Sequence, residues 1–377
     1  MNGKVKCVVE KERLLSIKRC KRCLLPVTFP LIDLDENGVC GYCRNYERWI
    51  YLGRKALEQK VFSSLESGNK GEYDCIVPLS GGRDSSWVLH YLKKEMGLSP
   101  VAVTYDWGMV TPLAHKNIKT MCNALGIPNV VIDPGTARKK NYIRKNVLAW
   151  LEKPSLSTVT LFMVGDKGIY FHLDKIRRKY NAPMIFWGQN HFERTDFKAA
   201  FLNVDEKNAK RDYIRLGTFN KFKLAAQFIK EMIKNPRFIN SSLFDSFLGF
   251  FGFFFVPKNY INLFDYVIWD EETVNKTLIE EYGWEKEPDY TSTWRIGDGT
   301  SAFYNYIYAR VAGFSEIDTF RSNQVREGVL SREKALEMTV RENMPREDSI
   351  RWYLNAIGVD FNNTVEKINS ISFLDKR

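Results

Sequence analysis

Two groups of residues in this 377-residue chain have types and spacings that can do chemistry. The first is Cys20-x2-Cys23, then 16 residues, then Cys40-x2-Cys43. Each Cys-x2-Cys pair can turn two thiolates toward one point. Two such pairs close a tetrahedral zinc site whose four-sulfur shell leaves no open position for catalysis. Between them, Pro26, Pro30 and the turn Asp35-Glu36-Asn37-Gly38 suit a short hairpin. A structural zinc ribbon is therefore expected, with an iron–sulfur cluster or four buried free thiols as the alternatives. The second group is Ser80-Gly81-Gly82-Arg83-Asp84-Ser85-Ser86, directly behind the apolar run Cys75–Leu79. Two adjacent glycines let the backbone approach an anion, and a following helix N-terminus completes a phosphate cradle. Ser80, Ser85 and Ser86 can donate hydroxyl hydrogen bonds. Asp84, expected on a surface turn, repels phosphate unless a cation lies between them, which points to Mg2+. The spacing matches neither a Walker A loop nor a dinucleotide fingerprint. A glycine turn with an N-cap is the plain structural alternative.

Other chemistries find little support. His90, His115, His172 and His191 show no metal spacing, and no Cys–His or Ser–His–Asp arrangement is visible. Cys7, Cys75 and Cys122 form no second pair.

The elements that position these residues read as alternating strands and helices. Strands are expected at Cys75–Leu79, Val101–Tyr105, Val130–Ile132 and Met184–Trp187. Helices are expected at Glu47–Leu65, Ser85–Met96, His115–Leu125 and Val164–Tyr180, with Gly97 and Gly126 as stops. That order predicts an α/β fold, a doubly wound parallel sheet with helices on both faces. Beyond Phe192 the alternation is expected to stop, and 205–377 to be largely helical. The expected organisation is a zinc-ribbon module over 1–46, a helical connector over 47–72, a catalytic domain over 73–204 and a substrate or partner region over 205–377. The Phe-rich stretch 247–255 is expected in a core or buried helix, with a lid over a pocket as the lesser reading.

Composition sets outer bounds. An apolar share of 44% with 27% charged residues excludes a collagenous or largely disordered chain. The net charge of +11 attracts phosphate in any form without choosing among nucleotides, RNA and anionic surfaces. Met1–Cys20 is charged throughout, so no secretory leader is expected. Leu243–Val256 carries Asp245 and falls short of the roughly 20 residues a membrane span needs. A cytoplasmic protein is expected, with its cysteines reduced.

The segment Leu79-Ser80-Gly81-Gly82-Arg83-Asp84-Ser85, set between a strand and a helix, resembles the PP-loop of the ATP pyrophosphatases. GMP synthetase, NAD synthetase, asparagine synthetase, tRNA lysidine synthetase and tRNA thiolation enzymes belong to that superfamily. The resemblance implies cleavage of ATP to AMP and pyrophosphate, with ATP and Mg2+ bound. It places Leu79 to Ser86 on the β- and γ-phosphates, with Ser80 and Asp84 in catalytic roles and Asp84 on magnesium. It places Thr104 and Asp106 against adenosine, and Gly188 and Asn190 at a further nucleotide- or substrate-facing motif.

Within that superfamily the chain is most similar to the N-acetyl sugar amidotransferases of bacterial surface-polysaccharide (lipopolysaccharide, O-antigen) biosynthesis. The similarity rests on the four-cysteine module, the loop, Ile185-Phe186-Trp187-Gly188-Gln189-Asn190, Asp298-Gly299 and Arg321-Ser322-Asn323-Gln324-Val325-Arg326-Glu327-Gly328. Gln189 stands where many relatives are expected to carry an acid, so no carboxylate role transfers to it. This resemblance implies conversion of an acetamido group on a nucleotide-sugar to an acetamidino group. Ammonia would come from a separate glutaminase subunit, because Asn2 follows the initiator and neither Cys75 nor Cys122 sits on a nucleophile elbow. Arg321 and Arg326 are the candidate substrate contacts, and nucleic acid is not an expected partner. A PP-loop tRNA-modifying enzyme is the alternative, weakened by the missing second cysteine pair. A non-enzymatic zinc-ribbon RNA-binding protein would leave the loop unexplained.

Overall fold

The computed structural model describes residues 5–67, 71–193, 197–204, 217–257 and 259–374. The first four residues of the expected charged N-terminus, and residues 205–216 of the expected helical region, lie outside the described residues.

The cysteine module folds around two antiparallel bridges, Arg19↔Pro26 and Leu34↔Cys40, with short helices α1 (Lys11–Ser16) and α2 (Gly41–Arg44). The Asp35–Gly38 turn closes as its composition predicts. Gly38 takes φ +75°, and the Val39 amide donates to Asp35 Oδ1 at 2.8 Å. The connector helix α3 (Arg54–Ser67) begins seven residues later than Glu47. Gly53, at φ +87°, breaks the helical path, and the Leu52 and Gly53 amides donate to the carbonyls of Asp265 and Tyr266.

Each foreseen apolar run becomes a strand. β1 (Cys75–Pro78), β2 (Pro100–Tyr105), β3 (Asn129–Ile132) and β4 (Met184–Trp187) are parallel, and β5 (Ile261–Asn262) adds to the β4 edge. The order is β3-β2-β1-β4-β5. Alternate residues serve two cores. Val77, Ala102 and Phe186 face the main one, while Ile76, Val101, Val103 and Ile185 pack on Leu173 behind the sheet. Burial on both faces explains why β1, β2 and β4 read as continuous apolar runs. The alternation does not stop at Phe192, because β5 comes from beyond residue 205. A two-residue strand is too short to carry a period, so sequence reading passes over it.

α4 (Arg83–His90) starts two residues before Ser85 and continues as one wide turn, Tyr91–Glu95, up to Gly97. α5 (Pro112–Leu125) starts earlier than His115, because Thr111 caps it by accepting from the Ala114 amide at 3.0 Å. α6 (Thr136–Glu152) was not foreseen. Its five cations mask the helical spacing of buried Ile143, Val147 and Trp150. α7 (Ile169–Lys179) starts five residues after Val164, because Gly165 sits at φ +101°.

The remaining described elements are helical apart from β5. They are α8 (Phe197–Ala200), α9 (Thr218–Lys234), α10 (Leu243–Phe254), α11 (Glu271–Lys276), α12 (Ser301–Ala312), α13 (Glu316–Glu327), α14 (Arg332–Glu342), α15 (Glu347–Ala356) and α16 (Phe361–Ser370). α10 corrects one expectation. Its phenylalanines are divided, since Phe250 and Phe254 pack against the cluster around Leu224 while Phe244, Phe247 and Phe251 are exposed.

Candidate functional site

In a 3-2-1-4-5 sheet the order reverses between β1 and β4, and the crevice at their carboxyl ends is where such folds bind ligands. The Ser-Gly-Gly loop leaves β1 at this point, and Gly188-Gln189-Asn190 leaves β4 beside it. The loop is held in shape by its own serines. The Ser80 amide donates to Ser85 Oγ at 3.2 Å and the Gly82 amide to Ser80 Oγ at 3.4 Å. The hydroxyls of Ser80 and Ser85 lie 3.1 Å apart. The first turn of α4 then presents backbone N–H groups that have no intrahelical acceptor. Buried Ser86 Oγ and Arg83 Nη2 have no hydrogen-bond partner among the described residues.

The two glycines are not equivalent. Gly81 has φ +76°, and a Cβ there would sit 2.4 Å from the Ala114 carbonyl oxygen. A Cβ on Gly82 would meet only Ser80 Oγ, at 3.3 Å. Gly81→Ala is therefore expected to destabilise the protein by about 2 kcal/mol or more relative to Gly82→Ala, from left-handed backbone strain and overlap. Thermal unfolding of the two variants checks this, and equal midpoints would sink it.

Asp84 is not on a surface turn. It is buried, because the chain beyond β5 folds over it. Its Oδ1 accepts from Arg83 Nε and from Trp269 Nε1, both at 3.0 Å, and its Oδ2 accepts from Asn190 Nδ2 at 2.6 Å. Two of the sequence-picked residues, Asp84 and Asn190, are thus in direct contact across the β1–β4 crevice. Gly188 is there for close packing, since a Cβ would lie 2.5 Å from Val88. Thr104 and Asp106 are occupied locally. Thr104 Oγ1 donates to the Leu79 carbonyl at 2.9 Å and Asn129 Oδ1 at 3.1 Å, and Asp106 Oδ1 accepts from the Gly108 amide at 2.9 Å.

Several site residues carry no sequence signal. Trp284 Nε1 donates to the Gly81 carbonyl at 3.2 Å, and Gly297 packs on Ser80 and Gly82. Arg83 donates through Nη1 to Glu271 (3.0 Å) and Thr293 (2.9 Å), with its guanidinium over the Trp269 ring. Burial pushes the Glu271 carboxyl up, but Arg83 and Arg321 on either side outweigh it and hold it at about 2. Glu193, bonded to Trp294, behaves oppositely. Burial lifts it to about 7, with Arg295 opposing and the charge of Asp84 adding to the rise.

Arg321 and Arg326 are buried on α13 rather than open to the crevice. Arg321 binds Glu342 (2.6 Å) and Glu271 (2.7 Å), so it joins the loop through Glu271 and Arg83. Arg326 Nη2 lies 3.4 Å from Cys23 Sγ.

The four cysteines converge. All are fully buried, their sulfurs lie within 4.8 Å of one another, and the Cys20–Cys43 and Cys23–Cys40 separations are both 3.8 Å. A tetrahedron with arms of about 2.3 Å has edges of about 3.8 Å, so the set fits zinc. Amides of Cys23 and Cys40 donate to Cys20 Sγ, the outer support that thiolate ligands need. The module is pinned to α13 and α14 through Arg19–Asp318 (2.6 Å), Leu24 N–Ser322 Oγ (3.1 Å) and Arg332 on the Cys20 and Cys23 carbonyls. The other thiols are shifted toward the protonated form. Burial pushes Cys122 up to about 11, and burial with Glu347 pushes Cys7 to about 12.

No family model matches the sequence, and no curated protein matches it. Among solved structures the chain is similar to an NH3-dependent NAD synthetase from Campylobacter jejuni in complex with the nitrate ion. The two are 13% identical, and the match covers 52% of this chain and 93% of that one at a TM-score of 0.27.

Proposed function

We propose that the protein is an ATP-dependent carbon–nitrogen ligase of the PP-loop type. It acts as the synthetase subunit of an amidotransferase that converts the acetamido group of an N-acetylated nucleotide-sugar to an acetamidino group. One observation carries the reading: a glycine-rich loop with unpartnered donors and a carboxylate lies at the β1–β4 crevice. Sulfur transfer to tRNA is disfavoured, because Cys75 and Cys122 are buried, Cys7 is half-buried, and the pKa of each is raised.

An acetamido carbonyl is a poor electrophile because its nitrogen feeds density into it. Its oxygen attacks the α-phosphorus of ATP, the bond to the β-phosphate oxygen breaks, and pyrophosphate leaves. Ammonia adds to the imidate carbon, loses a proton and expels AMP, giving the amidine. The loop's amides, with Ser80, Ser85 and Ser86, hold the β- and γ-phosphates, and no protein nucleophile is required. Asp84 and Glu193 are the residues suited to Mg2+. Three of the roughly four acceptor positions of Asp84 are taken, and a dication held by these residues would offset the penalty that raises Glu193, to which the charge of Asp84 contributes. Bound there, Mg2+ supplies charge neutralisation on the phosphates. Zinc at Cys20, Cys23, Cys40 and Cys43 would be structural, and a separate glutaminase would supply ammonia.

The purified chain is expected to release pyrophosphate and form amidine from ATP, Mg2+, ammonium and a nucleotide-activated N-acetyl sugar, but not from glutamine alone. Mass spectrometry of the sugar and a coupled pyrophosphate assay read this out. Efficient glutamine-dependent turnover by the single chain would overturn the division of labour, and tRNA-dependent pyrophosphate release would overturn the substrate class.

A further inference from the structure

Helices α9 and α10 leave a broad apolar face uncovered among the described residues. On α9, Phe219, Phe222, Ile229 and Ile233 are exposed, Phe219 to 79%. At about 100° per residue they fall within an arc of roughly 80°. On α10, Phe244 (71%), Phe247 and Phe251 repeat the pattern, and Phe255 just beyond the helix extends it. The helices lie side by side. Lys221 Nζ donates to the Phe254 carbonyl at 2.9 Å and sits 4.8 Å over the Phe255 ring. Leu224, Phe228, Phe250 and Phe254 pack together beneath. Bulky apolar side chains concentrated on two neighbouring helices mark an interaction surface rather than scattered exposure.

The surrounding charge decides what fits that surface. Lys223, Lys230 and Lys234 fall at helical spacing along one border of the α9 arc. The acidic residues of these helices turn away from it. Glu231 accepts from Ser157 and Lys234, and Asp245 pairs with Lys139, leaving their side chains 14% and 13% exposed. Arg237, in the turn between the helices, pairs with Glu152. A second copy of the chain would set one lysine border against another, whereas an anionic bilayer accepts both features. Phenylalanines enter the boundary between headgroups and acyl chains while lysines reach the phosphates.

We propose that the α9–α10 face docks this protein on an anionic phospholipid surface, with its phenylalanines inserted and Lys223 and Lys230 on headgroup phosphates. No described helix is long and apolar enough to cross a membrane, so the attachment is interfacial. It does not depend on the reaction proposed above.

Flotation of the full chain with vesicles tests this, comparing phosphatidylcholine alone with phosphatidylcholine containing phosphatidylglycerol. The chain is expected to float only with the anionic vesicles, and less as salt is raised. Phe222→Ser with Phe247→Ser should abolish flotation. Lys223→Glu with Lys230→Glu should weaken partitioning at least roughly 30-fold, at about five-fold per lysine lost, with repulsion of the two new carboxylates adding to it. Lys55→Glu with Lys60→Glu, on α3, should leave it unchanged, and all three double variants should keep normal pyrophosphate release. Failure of the parent chain to float with anionic vesicles overturns the proposal, as does equal loss in the α3 control, which would reduce binding to overall charge. A dimer dissolved by the phenylalanine variant, without vesicle binding by the parent, would assign the face to a second copy instead.

Discussion

Asp84→Asn is expected to lower pyrophosphate release from ATP by about two to three orders of magnitude, the size of effect seen when one preorganised electrostatic group is removed from a reacting centre. The substitution keeps volume and removes charge. In the folded chain Asp84 accepts from Arg83, Trp269 and Asn190. An asparagine can still accept through one oxygen, but its amide group would face at least one of these donors. A stability loss of about 1–3 kcal/mol should accompany the change. Activity and unfolding must therefore be measured on the same preparation. A variant that remains folded at the assay temperature yet has lost ATP cleavage supports a role on phosphate and magnesium. Near-normal pyrophosphate release would mean that the loop is only a helix cap.

Cys23→Ser should have the largest effect on folding. Binding free energies of about 10–16 kcal/mol for structural zinc in small modules equal or exceed the whole stability of many domains. Here the cluster also anchors α13 through Arg326 and Ser322. α13 in turn holds Glu271 through Arg321, and Glu271 holds Arg83 beside the loop. The expected result is about one zinc per chain in the parent protein, a sharply reduced soluble yield for Cys23→Ser, and loss of ATP cleavage on chelation. Metal analysis, thermal unfolding and the pyrophosphate assay check the three parts. A metal-free chain that is fully folded and active would remove zinc from the account.

The sequence by itself determined the local parts of this protein. Strands β1, β2 and β4 were legible because burial on both faces leaves unbroken apolar runs, and the edge strand β3 because its valines and isoleucine run together. The cysteine cluster was legible because two Cys-x2-Cys turns and one hairpin set its geometry over 24 residues, Cys20 to Cys43. The turn at the Ser-Gly-Gly loop was legible from its paired glycines between a strand and a helix, whereas the bonds between Ser80 and Ser85 that hold its shape appear only in the structure.

Only the tertiary structure decided what surrounds that loop. Trp269, Glu271, Trp284, Thr293 and Gly297 reach it from about 185 to 217 residues further along the chain. No period or spacing links such distant positions, so their roles appear only once the chain closes over the crevice. Arg321, read from sequence as a candidate substrate contact, is a buried strut, because the partners that claim it, Glu271 and Glu342, lie on other helices. Phe247 and Phe251 of α10 read as core but are exposed, since apolarity records a preference for burial and not whether the folded chain provides a covering surface.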